Sequence, residues 1–409
     1  MGIFVNLLVL VYYKYTTFIA DTISQFTGKS YEVIDLVGSF FQRAFYGNVE
    51  PIGIMLPIGI SFYTFQAIGY LVDVRRKNVV VVRNPFDFAF FISFFPQLVA
   101  GPIIKAAAFI PQLYQKYKLK EDEFSHALYL ILKGLFKKMV IADYLATNLI
   151  DGVFNAPWAY SGLENLISIY SYAIQIYFDF SGYTDIAIGL ALILGFKIPI
   201  NFNSPYQATS ITDFWHRWHI SLSKWLRDYL YIPLGGNRKG SIRTYMNSFI
   251  TMLLGGLWHG ANWKFVIWGA IHGAALSIEK FFHTISTKKR PHSRLRKFVS
   301  QIVTFHVVCL SWVFFRANDM ESIRQIFHQI SYNFIPAFSS SEWLFHLPKG
   351  IFIVLGFLLI SISISFKEKI RGRFIGLHWI VKSAICILIV IAIHQVSSLD
   401  SQPFIYFRF

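Results

Sequence analysis

Ten apolar runs, near 3–20, 52–71, 86–104, 125–146, 166–194, 245–258, 262–282, 300–315, 350–366 and 379–396, divide this chain. Several approach the roughly 20 residues that cross a bilayer as a helix. The runs at 86–104, broken by two prolines and a glycine, and at 245–258, which is short, read instead as interrupted or re-entrant. Inside hydrocarbon every backbone polar group must find a partner within the protein, which leaves helices or closed barrels. With 55% hydrophobic and 15% charged residues and a mean hydropathy of +0.47, a water-soluble fold would expose large apolar patches. The expectation is an all-α integral membrane protein of about ten transmembrane or re-entrant helices, with the lipid bilayer as its first partner. No internal repeat or low-complexity linker interrupts it, so residues 1–409 read as a single domain.

The net charge of +16 would suggest nucleic acid in a soluble chain. Here the basic residues gather in loops: Arg75, Arg76 and Lys77, then Lys288, Lys289, Arg290, Arg294, Arg296 and Lys297, then Lys367, Lys369, Arg371 and Arg373. The last two clusters are two runs apart, which puts both on one face, the cytoplasmic one. The charge is therefore assigned to topology, and no nucleic-acid partner is expected. Met1 leads directly into the first apolar run with neither a basic start nor a small-residue cleavage site, so that run is expected to stay in the protein. Cys309 and Cys386 lie in apolar runs and read as packing residues.

Chemistry concentrates between Asp213 and Gly260. The segment 214–230 holds Arg217, Lys224, Arg227 and Asp228 and is too charged to span. On a helical period Trp215, Trp218, Leu222, Trp225, Leu226 and Tyr229 share one face, which predicts an amphipathic interfacial helix with His219 at the margin of its apolar side. A proline and a glycine pair turn the chain at YIPLGGNRKG. The following run ends in LLGGLWHG, where Trp258 and His259 stand among Gly255, Gly256 and Gly260, 40 positions after His219. A histidine at membrane depth is costly, and its use in chemistry is the default reading. The alternative is a buried imidazole satisfied by a carbonyl, with the glycines serving packing alone. His216 and His219 lack a third ligand at a recognisable spacing, so no metal is expected. Asp179 and Asp185 interrupt the run at 166–194 and point about 120° apart on a straight helix. Each is expected to be paired, hydrated or turned toward a substrate.

The segments LPIGISFYTFQAIGYLVDV, SFFPQLVAGPI, YFDFSGYTDIAIGLALILGFKIPINFNSPY, DFWHRWHISLSKWLRDYLYIPLGGNR, GGLWHGANWKFVIWGAIHG and WVFFRA, in that order, resemble the membrane-bound O-acyltransferase family, in its bacterial alginate and peptidoglycan O-acetyltransferase branch. The resemblance implies helices ringed around a funnel through a bacterial cytoplasmic membrane. It implies catalysis by His259, the histidine of the WHG motif, with His219 at the second, variable position. It also implies about two spans ahead of the family's counterpart of Tyr12–Phe18, and an arginine where His216 stands.

Acyl transfer from a thioester to a hydroxyl needs a base that works near neutrality, which suits histidine. His259 is assigned that role, and His219 is expected to orient, relay a proton or polarise the thioester carbonyl. No bound cofactor is expected. The branch implies acetyl-CoA as donor substrate, with its phosphates near Arg217, Lys224, Arg227, Arg238 and Lys239. Trp258, Asp179, Asp185, Trp215, Arg217 and Arg227 are candidates for the site wall or donor binding. The acceptor would be an extracytoplasmic polysaccharide, reached with an SGNH-like extracytoplasmic acetyltransferase or one like those of alginate assembly. D-alanyl transfer to teichoic acid from a carrier protein, and a proton-coupled transporter, are the other readings.

Overall fold

The computed structural model describes residues 1–46, 53–98, 100–285, 293–335, 342–396 and 404; Lys288, Lys289, Arg290 and most of the terminal FIYFRF lie outside them. The chain begins with α1 (Gly2–Thr27), which contains a π-helical turn at Val11–Tyr15 and stops where Gly28 turns left-handed. Then come α2 (Leu36–Tyr46), α3 (Ile60–Arg75) and α4 (Pro85–Ser93). Asn84 caps α4 by accepting from the Phe86 N–H at 3.0 Å, and Pro85 takes the first helical position, where its missing N–H costs nothing. Beyond Ser93 only the short turn Phe95–Leu98 is helical before the backbone extends through residues 102–105. The interruption anticipated at 86–104 is present. Its stranded Ile103 N–H is satisfied by the Ser221 hydroxyl at 2.9 Å, as a broken backbone inside a membrane protein requires.

A helical rod over 121–155, α5, packs along the 32-residue α6 (Gly162–Ile193). Ser161 and Glu164 form a reciprocal capping box at the start of α6. Small residues bring the two helices together, since a Cβ on Gly134 would stand 2.5 Å from the Gly182 carbonyl oxygen. At that separation the lysines of α5 reach the two acids of α6. Lys138 pairs with Asp179 at 2.5 Å, while Lys133 and Lys137 share Asp185 at 2.9 and 2.6 Å. The π-helical stretch Phe136–Ala142 lies where these lysines follow one another, so they serve both acids despite the angle between them.

The remaining elements are α7 (Ile211–Arg217), α8 (Ile220–Leu226), α9 (Ser241–His259), α10 (Trp263–Ile285), α11 (Arg294–Arg316), α12 (Met320–Tyr332), α13 (Glu342–Ser361), α14 (Ile364–Ile375) and α15 (Trp379–Val396). No strand occurs among the described residues. Five helices there, α1, α6, α10, α11 and α15, are long and apolar enough to cross a membrane, or six if the pair around the 94° bend between Pro348–Ser361 and α14 counts as one. This is fewer than the ten apolar runs. The others are helical but are shorter, as α3 is, or carry charges within the rod, as α5 does. Burial orders the spans: 61% of the apolar window of α6 is buried, against 6% for α1 and α15, so α6 is central and those two face lipid.

Candidate active site

The helix expected over 214–230 is two helices. Ser210 caps α7 by accepting from the Asp213 N–H at 3.1 Å, and α7 stops at Arg217; Trp218 is extended, and His219 turns left-handed at φ 42°, ψ 55° before α8 begins. A non-glycine residue held there costs of order 1–3 kcal/mol, so something must impose it. The segment 201–203 does: the Asn203 N–H donates to the Arg217 carbonyl at 2.9 Å and the Ile220 N–H to the Asn201 carbonyl at 3.0 Å. The predicted apolar face survives, with Trp215, Trp218, Leu222, Trp225 and Leu226 all buried. His219, however, lies in the interior at 0% exposure rather than at a helix margin.

Asn201 also sets the chemistry of that imidazole. Its Oδ1 accepts from the Ser221 N–H at 3.1 Å and the Ser221 hydroxyl at 2.9 Å, and lies 3.2 Å from His219 Nδ1. A backbone N–H can only donate, so the amide oxygen must face this side. Nδ1 of a neutral His219 therefore carries the hydrogen and Nε2 the lone pair. Nε2 has no hydrogen-bond partner among the described residues.

His259 is the last residue of α9. Gly260 follows in extended conformation, and a Cβ there would lie 2.1 Å from the Phe265 ring. Gly256 and Gly269 are in similar contact across α9 and α10, so the glycines around the histidine serve close helix packing. The final carbonyls of α9, which a helix leaves without internal partners, are met from α1. Lys14 Nζ donates to the Trp258 carbonyl at 2.5 Å and reaches that of His259 at 3.5 Å, and the Tyr15 hydroxyl donates to Leu257 at 2.9 Å. A cation suits the negative end of the helix dipole.

The two imidazoles are brought together with ring centres 6.5 Å apart, within reach of one group lying between them. Aromatic rings enclose them: Trp258, Trp268 and Phe315 stand 4.9, 5.0 and 5.3 Å from His259, and Phe180 stands 4.8 Å from His219. Trp258 is fixed in turn by stacking on Phe65 and by its indole N–H donating to the Ser61 carbonyl at 3.2 Å.

The other candidates separate. Trp215, Lys224 and Arg227 line one cavity of about 260 Å³ with His216, Tyr231 and Lys280. Arg217 is engaged elsewhere, by Asp213 at 2.6 Å, and Arg238 and Lys239 are exposed beyond the cavity. Asp179 and Asp185 are held by lysines as described, and Asp185 lines a different cavity. Among the described residues no three His, Cys, Asp or Glu side chains gather as metal ligands. Sequence reasoning missed Lys14, Asn201, Trp268, Phe315 and a third buried histidine, His272. His272 Nδ1 accepts from the Trp215 indole at 3.3 Å, and its Nε2 lies 2.9 Å from Ser311 Oγ, which itself donates to the Val308 carbonyl.

A membrane chain without strands among its described residues, with two buried histidines facing each other from a helix break and a helix end, defines the class, and comparison with known proteins gives the family. The chain belongs to the membrane-bound O-acyltransferase family, whose model matches residues 72–317. It is 43% identical to a probable alginate O-acetylase of Pseudomonas aeruginosa over 78% of this chain and 58% of that relative, so the chain spans less than two thirds of that protein's length. It is 34% identical to a peptidoglycan O-acetyltransferase of Helicobacter pylori, over all of this chain and 82% of the relative. Similarity to a teichoic acid D-alanyltransferase of Bacillus subtilis is 32% over 63% of this chain and 68% of the relative. An acyltransferase family displaces the transporter reading.

Proposed function

We propose that the chain is an O-acetyltransferase of a bacterial cytoplasmic membrane, taking acetyl from cytoplasmic acetyl-CoA for O-acetylation of a polysaccharide outside. The observation that carries this is the pair of buried imidazoles, 6.5 Å apart in an aromatic enclosure. The relatives named for alginate and peptidoglycan O-acetylation support the acyl group and the acceptor class. His259 takes the proton of the attacking hydroxyl, and the hydroxyl oxygen forms the bond to the thioester carbonyl carbon. The carbon–sulfur bond then breaks, and the thiolate recovers the proton from the imidazolium. His219, with its lone pair at Nε2, orients the acceptor or relays the proton. Polarising the carbonyl would demand a second proton on that ring. Lys224, Arg227 and Lys280 share one cavity, and their charge supports it as the place where the donor's phosphates bind. An SGNH-like extracytoplasmic partner completes delivery to the glycan.

D-alanyl transfer from a carrier protein is the second reading, favoured by the similarity to teichoic acid D-alanyltransferases, at lower identity. The test is transfer of radiolabelled acetyl from acetyl-CoA to membrane-associated acceptors, comparing native protein with His259→Ala at matched membrane levels. Native labelling that falls by roughly 10²–10⁴-fold in the variant is the expected result, the usual size of a general-base contribution. Equal labelling by both forms overturns the assignment of His259. Labelling from a D-alanyl carrier protein but not from acetyl-CoA would move the donor to the second reading.

A further inference from the structure

A second polar cavity, about 520 Å³, lies between α5, α6, α14 and the segment 200–204; it adjoins the candidate site at Asn201, and its other lining residues take no part in the reaction scheme. Four cations line it, Lys133, Lys137, Lys367 and Arg371, against two carboxylates, Asp185 and Glu368. Asp185 is shared by Lys133 and Lys137, and Arg371 pairs with Glu368 at 2.6 Å. Among the described residues Lys367 meets a hydroxyl, that of Ser204, at 3.0 Å, and no carboxylate. Ser204 is itself strained: at φ 48° it is left-handed directly before Pro205, where a side chain with Cβ is disfavoured. The site therefore keeps an excess of two positive charges and holds one of them in place at a local conformational cost.

The rest of the lining is mixed: apolar side chains such as Ile188, Leu359, Ile362 and Phe136 stand beside polar ones, among them Thr184 and Asn203. The 94° bend before α14 lays that helix across the end of α13, so Lys367 and Arg371 sit where the membrane-crossing direction stops. Cations at the level of the headgroups beside a largely apolar wall match a phosphodiester with acyl chains attached, the chemistry of basic pockets between membrane helices. We propose that this cavity binds the phosphodiester headgroup of an anionic phospholipid, with its chains along the apolar side of the wall. The cavity shares Asn201 with the candidate site, but the proposal does not rest on acetyl transfer.

The phosphates of acetyl-CoA share the anionic chemistry, so the test separates the two sources. The full chain is placed in nanodiscs of phosphatidylcholine containing phosphatidylglycerol and exchanged into phosphatidylcholine alone, and retained phosphatidylglycerol is counted by native mass spectrometry. The double variant Lys367→Gln with Arg371→Gln is compared with Arg294→Gln with Lys297→Gln, which removes equal charge from another basic segment. Roughly tenfold lower retention is expected for the first pair and native retention for the second, given the contribution of each cation to an anionic headgroup. The charge-conserving Lys367→Arg with Arg371→Lys keeps retention, which separates a lost site from a lost fold. Equal retention by all forms, or equal loss in both Gln pairs, overturns the proposal. Unchanged retention with a tenfold higher KM for acetyl-CoA in the Lys367 and Arg371 Gln pair alone gives the cavity to the donor instead.

Discussion

His219 and His272 are both fully buried imidazoles beside tryptophans, and they are built oppositely. His272 sits inside a regular helix with both ring nitrogens engaged, Nδ1 by Trp215 and Nε2 by Ser311. His219 sits at a helix break in a left-handed conformation, and only its Nδ1 is engaged. A buried polar group left without a partner costs about 1–3 kcal/mol, on top of the strain of the left-handed backbone. The protein carries both costs at one residue and neither at the other. Burial alone therefore does not mark a reactive histidine in this fold. What sets His219 apart is a lone pair left over after the ring has been fixed.

The comparison breaks first at His219. Replacing it with Ala is expected to lower acetyl transfer by about 10²-fold, at the low end of what a proton-handling side chain contributes. Asn201→Ala is expected to cost about tenfold while the ring remains, because the tautomer is then no longer imposed. The pH profile of transfer should shift in Asn201→Ala and keep its shape in Asn201→Gln if the longer amide restores the contact. Native activity in His219→Ala would put that residue with His272 as packing. An unshifted profile in Asn201→Ala would mean that Asn201 braces the backbone alone.

At His272 the expectation reverses. His272→Ala removes both hydrogen bonds and opens space beside Trp215, for a loss of about 2–4 kcal/mol in stability, with turnover per folded molecule within about threefold of native. Thermal unfolding of the purified protein together with kcat on the folded fraction would check it. A collapse of kcat without loss of stability would make His272 part of the reaction.

How much of this was legible in the sequence depends on which part of the chain decides each feature. The helices and their apolar faces were legible because local periodicity decides them, and both histidines stood out by their setting. The break at His219 was not, since the spacing of Trp215, Trp218, Leu222 and Trp225 runs on without a glycine or proline; hydrogen bonds from residues 201–203 impose it. Asp185 and its lysines were visible separately, but their pairing depends on the Gly134 and Gly182 contact, 48 residues apart. The donor phosphates were assigned to five cations by proximity in sequence, and of these Lys224 and Arg227 share a cavity, while Arg217 is held by Asp213 one turn back on α7.

Lys14 is the extreme case, a single lysine in an apolar run whose carbonyl partners on α9 lie 244 and 245 residues away. Its ammonium also accepts the role of a clamp, donating to Ser61 Oγ at 2.8 Å and lying 5.8 Å from the Trp258 ring centre. Three elements, α1, α3 and the end of α9, therefore meet at one charge directly behind His259. Lys14→Met keeps the length of the side chain but leaves the α9 carbonyls without a donor and the helix end without its counter-charge, which together are worth about 1 kcal/mol. If the clamp serves to hold the base in line with the hydroxyl, kcat falls roughly threefold to tenfold while KM for acetyl-CoA stays within about twofold, as expected of an effect confined to the transition state. A rise in KM with kcat unchanged would place Lys14 on the donor's path instead.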